Sequence, residues 1–304
     1  MKPQHFIATT ALLAAISLAP TACSKDKAGG GGGASAASAG MLTMLPKDSA
    51  GVVGISWAKA RSSDLFKQYE SKLMKQIPGE VAKIKTECGI DLVADINTVV
   101  VAGNTDTKKA VVAVRGSFDQ AKVEACIVKM GGTNEGGVYT VEGEVTNAYW
   151  AGKDVVLLSE GLSPDQIKAA SAEGSVKDNA PLMKLISKID TSATIWAVGE
   201  VPPEVGSMMG AMGKAPNSGY LSLGITSSVK LKVGMIFDSA EDASSTKAMI
   251  GMGLSMAKGQ PAAKPFKKLL DGISTELSDD TVVISAKITE ADLTQLQGMG
   301  EMPF

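Results

Sequence analysis

Asp154-Val-Val-Leu-Leu-Ser159 runs into Ser163-Pro164-Asp165-Gln166, and the pattern returns at Asp280-Thr-Val-Val-Ile-Ser285 and Thr289-Glu290-Ala291-Asp292. A short β-branched run reads as a strand. A hydroxyl residue followed three positions later by Gln or Asp reads as a helix start, because its oxygen can accept from a backbone amide that has no partner inside the helix. Pro164 falls at the first helical position, where a missing N–H costs nothing. The two copies are offset by 126 residues, for strand and cap alike.

Working outward, hairpin Thr98–Gly116 precedes Ser117-Phe118-Asp119-Gln120, and hairpin Tyr220–Phe237 precedes Ser239-Ala240-Glu241-Asp242, at an offset of 122. Further strands are expected at Gly51–Ser56, Val138–Val141, Val145–Trp150, Ala193–Val198 and Ile273–Leu277. Lys230-Leu231-Lys232-Val233 alternates as a half-exposed antiparallel strand does. The pattern predicts an α+β fold. It has two similar halves of antiparallel β-hairpins, 45–175 and 176–304, each hairpin followed by a capped helix, through an internal duplication. Ala58–Lys85 is expected to add a helix rich in Lys and Arg whose polar face is solvated.

Composition narrows the chemistry. His5 is the one histidine of 304 residues, and it precedes an apolar run, Phe6–Ala19, with signal-peptide length. Without histidine the body has no Ser-His-Asp triad, no Cys-His dyad and no imidazole zinc site. A net charge of −2 and 4% aromatic residues argue against nucleic acid as a partner. No phosphate-binding loop or cofactor motif is present, so no cofactor is expected. Ser255-Met256-Ala257-Lys258 has Ser-x-x-Lys spacing without its companion elements, and the pairs Glu142/Glu144 and Asp279/Asp280 read as solvated turns. The expectation is a protein without catalytic activity.

Ala22-Cys23, closing the apolar run, resembles the signal of bacterial lipoproteins. The resemblance covers residues 1–23 and implies removal of 1–22, fatty acylation of Cys23 and a membrane anchor through that residue. Ser24, rather than Asp, implies sorting to the outer membrane, on its periplasmic side. Cleavage at Ala34-Ser35-Ala36 or Ala37-Ser38-Ala39 would instead yield a soluble periplasmic or secreted protein. Residues 23–44, rich in Gly, Ala and Ser, are expected to form a flexible tether.

Cys88 and Cys126 remain after Cys23, and export to an oxidising compartment predicts a disulfide between them. Fifteen methionines are the unusual count. Met208, Met209 and Met212 cluster, and Met249, Met252 and Met256 fall at i, i+3, i+7 on one helix stripe. Three readings stand: packing between helix and sheet, an adaptable apolar surface for a partner or lipid tail, and a thioether copper(I) site. The functional expectation is a lipid-anchored envelope protein that binds a protein partner or an apolar ligand through these methionines. The alternative is a periplasmic carrier of a lipid or other hydrophobic ligand.

Overall fold

Val, Ile and Thr concentrate in short runs with hydrophobic alternation, and these runs form the strands of an α+β protein. The computed structural model describes residues 36–74, 79–104, 106–107, 109–140, 146–160, 162–170, 174–202, 206 and 214–297. The chain divides into two compact units, Ser35–Ser62 with Phe66–Met183, and Ser63–Leu65 with Lys184–Phe304. The signal segment, Cys23, Glu142, Glu144 and the cluster Met208, Met209 and Met212 lie outside the described residues.

The first unit opens with α1 (Ala36–Met41), a 3-10 turn at Leu42–Met44 and β1 (Gly51–Ile55). Four helices follow: α2 (Trp57–Ser62), α3 (Asp64–Met74), α4 (Gly79–Cys88) and α5 (Leu92–Asp95). Then come hairpin β2 (Ile96–Asn104) and β3 (Lys109–Gly116), α6 (Gln120–Lys129), β4 (Thr133–Glu135), β5 (Val138–Thr140), β6 (Thr146–Trp150), β7 (Val155–Glu160) and α7 (Pro164–Lys168). The strands lie in the order β1-β2-β3-β7-β6-β5-β4, each paired with its neighbour antiparallel.

Its central strands are covered on both faces rather than one. Val111, Val112, Ala113 and Val114 are consecutive and all buried. Ile96, Val99, Val112 and Val114 pack with Ile55, Trp57, Leu92 and Phe118. Trp57 Nε1 donates to the Val93 carbonyl at 2.8 Å, which fixes α2 against α5. The expected tether through residue 44 is also corrected: α1 packs on β2, and Met41, Leu42 and Leu45 are fully buried. Three large apolar side chains within five residues outweigh the coil preference of the Gly/Ala/Ser run before them.

α8 (Ala180–Ile186) spans the boundary, and residues 176–179 are tied to the first unit. Val176 N donates to Leu45 O, and Asn179 Nδ2 to Lys47 O at 2.8 Å. The second unit continues with β8 (Ile195–Glu200), hairpin β9 (Ser218–Ile225) and β10 (Ser228–Ile236), and α9 (Ala240–Gly259). A 3-10 turn at Pro261–Phe266, α10 (Lys267–Asp271), hairpin β11 (Ser274–Ser278) and β12 (Thr281–Thr289), and α11 (Glu290–Gln297) complete it. The order is β11-β12-β10-β9-β8, again antiparallel. Lys230 and Lys232 are exposed, so β10 keeps the expected wet face. Tyr220 lies opposite Gly234, where any Cβ would overlap the tyrosine ring.

Three of the four expected caps form. Ser163 makes a full capping box with Gln166, although α7 is one short turn and a half. Ser239 accepts from Asp242 N at 3.1 Å, and Thr289 N donates to Asp292 Oδ2 at 2.8 Å. The fourth is displaced: Asp119, not Ser117, caps α6 by accepting from Lys122 N at 3.2 Å. Ser117 instead accepts from Asn97 Nδ2. A carboxylate two residues nearer the helix outcompetes the hydroxyl.

Candidate functional site

α9 is held at its start and free of packing along one face near its end. Ser239 caps it, and Lys214 Nζ pairs with Asp242 at 3.0 Å. The Ser239 hydroxyl first, and Lys214 second, hold the Asp242 carboxyl below the usual carboxylate range. Ala243 is fully buried, packing with Met235, Phe237 and Val282 on the sheet, and Ile250 joins the same cluster.

The packing side of α9 is thus made from residues other than its methionines. Met249 is 38% exposed, Met252 64% and Met256 66%. Their i, i+3, i+7 spacing places them on one stripe, as expected, but that stripe faces solvent. Packing between helix and sheet is thereby corrected for these three residues. A crevice nearby, lined by Pro265, Phe266, Leu269, Asp292 and Gln295, holds only about 10 Å³, barely room for one water.

Two glycines lie in the same stretch of α9, Gly253 beside the stripe and Gly251 on another side of the helix. A Cβ built on Gly251 or Gly253 meets nothing within 4 Å, and neither has a positive φ. Packing among the described residues therefore does not require glycine at either place. Glycine costs helix stability, about 1 kcal/mol relative to alanine. The result is a low, deformable surface of thioethers with a closely approachable backbone. Apolar surface of this kind, exposed on a folded unit, is where partners or lipid bind.

The other candidates lie apart from one another. The Ser255 hydroxyl donates to Gly251 O at 2.9 Å, and Lys258 pairs with Asp271 at 3.1 Å, so neither engages the other. Asp279 and Asp280 form the β11–β12 turn, Asp279 with φ 53°. Among the described residues no group of three His, Cys, Asp or Glu could hold a metal ion, and no helix is long and apolar enough to cross a membrane. Cys88, ending α4, and Cys126 in α6 are joined as a disulfide pair with Cα atoms 5.4 Å apart. Sequence reasoning found the methionine stripe but not the solvent-facing Val128, 59% exposed on α6, which periodicity alone does not single out.

The fold belongs to the class of α+β proteins built on antiparallel strands with capped helices on the sheet. Among solved structures it is similar to TP0453 in three crystal forms. Form III has a TM-score of 0.54 at 11% identity, covering 85% of this chain and 98% of that chain. Form IV gives 0.52 at 12%, covering 85% and 96%, and form I gives 0.51 at 10%, covering 86% and 97%. Likeness at that identity is one of fold. No protein-family model matches the chain, and no curated protein matches it.

Proposed function

We propose that this is a lipid-anchored protein of the cell envelope, without catalytic activity, that works by binding through the methionine face of α9. One observation carries the reading: Met252 and Met256 stand about two-thirds exposed on a helix whose opposite side is packed. The anchor is Cys23, on the outer membrane and its periplasmic side, on the strength of the lipoprotein-like signal. Twelve residues separate Cys23 from Ala36, where α1 begins. A chain of that length reaches about 45 Å at most, so the body operates close to the bilayer. The separate engagements of Ser255 and Lys258 support the non-catalytic part.

Placing a photo-crosslinking side chain at Met252 in the full chain, in its host envelope, tests the binding face. Adducts from position 252 and none from exposed Lys153 are expected. Absence of any adduct at 252, with protein or with lipid, would remove the reading. Mass spectrometry of the same material is expected to find fatty acyl groups on Cys23, and an unmodified thiol there would sink the anchor.

We also infer that the two units descend from one duplicated ancestor. The order β1-β2-β3-β7-β6 in the first unit corresponds to β8-β9-β10-β12-β11 in the second. α6 and α9 follow the first hairpin of each, and α7 and α11 follow the last strands. An experimental structure in which these strands failed to superpose in that order would refute the duplication.

A further inference from the structure

The charge around the methionine face indicates what it binds. From Ala243 to Leu270 the chain holds Lys247, Lys258, Lys264, Lys267 and Lys268, and no Asp or Glu. Lys247 is half-buried and the other four are exposed. Two of them have acidic partners from outside this stretch: Lys258 pairs with Asp271 at 3.1 Å and Lys268 with Asp292 at 3.5 Å. The remaining carboxylates on α9, Glu241 and Asp242, are confined to its first turn, and Asp242 is paired with Lys214. The half of α9 that exposes Met249, Met252 and Met256, with the turn and α10 that follow, is therefore apolar and basic, its one carboxylate being Asp271 at the end of α10, paired with Lys258. The rest of the chain is net acidic, since the whole carries −2.

We propose that the C-terminal half of α9, with the segment through α10, docks on an anionic phospholipid surface. This rests on the docking-face reading above and specifies its partner. Thioether side chains enter the boundary between headgroups and acyl chains, and the exposed lysines that follow α9, Lys264 and Lys267 among them, reach the lipid phosphates over their apolar stems. Three features favour lipid over a protein partner. The methionines are flexible and impose no fixed shape. Gly253, on the methionine side of α9, lets the helix backbone approach a flat surface closely, and nothing inside the described structure needs it. The one carboxylate between Ala243 and the end of α10, Asp271, is held by Lys258 at 3.1 Å. Together with an acyl chain on Cys23, this gives a second membrane contact, and two weak contacts hold a protein where one does not.

Vesicle flotation of the exported chain carrying Cys23→Ser tests the contact without the acyl anchor. The probes are vesicles of phosphatidylcholine alone and of phosphatidylcholine mixed with phosphatidylglycerol. Binding to the mixed vesicles is expected, with little on phosphatidylcholine alone. The pair Met252→Ser and Met256→Ser is expected to lower it several-fold. Lys264→Gln and Lys267→Gln should each lower it about five-fold, as loss of one surface charge does. All four positions lack buried side chains, and unchanged circular dichroism and melting would show the variants folded. No binding to the mixed vesicles, equal binding to both kinds, or full binding by the methionine variant would each overturn the proposal. A crosslink from position 252 to a protein, with no vesicle binding, would overturn the lipid assignment while leaving the docking face standing.

Discussion

Asp292 shows how one carboxylate can close a helix start. Its side chain is 9% exposed, accepts from the Thr289 amide and hydroxyl, and sits 3.5 Å from Lys268. Burial pushes its pKa up, but the Thr289 hydrogen bonds and Lys268 together outweigh burial, and the carboxyl titrates below its ordinary value. The unfolded chain therefore binds this proton more readily than the folded one. The stabilisation is present above the unfolded value, about pH 3.9, and is lost as pH falls through the lower folded value. Asp292→Asn is expected to cost about 1 kcal/mol at neutral pH, as loss of a cap does. The variant should also unfold with a weaker pH dependence below about pH 4 than the parent chain. Urea melts across that range measure both, and an unchanged midpoint at neutral pH would show that the cap contributes nothing.

At the scale of the element, α9 is a long helix kept less stable than it could be. Gly251 and Gly253 lie in its interior with open space where a Cβ would go. Gly251→Ala and Gly253→Ala are each expected to stabilise the protein by about 0.5–1 kcal/mol, read as a raised melting temperature. A destabilised variant would mean that the glycines serve internal packing. The strands, by contrast, sit where local chemistry put them. Val282 lies opposite Met235, and Leu277 opposite Val282, because β-branched runs bounded by turn residues such as Asp279 pair as hairpins. The cap of α6 was legible to within two residues. Ser117 and Asp119 both satisfy the local pattern, and only the path of the chain past Asn97 separates them.

At the scale of the whole molecule, the disulfide acts mainly on the unfolded chain. Cys88 and Cys126 are 38 positions apart, which closes a loop worth about 4 kcal/mol on the chain-entropy account. Reduction, or the pair Cys88→Ala and Cys126→Ala, is expected to lower stability by about 2–4 kcal/mol, measured by chemical denaturation with and without reductant. Equal midpoints would mean that the link constrains nothing.

The positions of every strand but β4, three of the helix caps, the cysteine pairing and the methionine stripe were determined by the sequence itself. Each depends on residues adjacent in the chain or on a count of cysteines. The order of strands in each unit, the burial of Met41, Leu42 and Leu45, and the covering of β2 and β3 on both faces were decided only by tertiary structure. So was the outward turn of α9. Met249, Met252 and Met256 have the period of a packed stripe, and it is Ala243 and Ile250 that meet the sheet instead. A helical period states that residues share a face; which face is buried depends on contacts with strands tens of residues away.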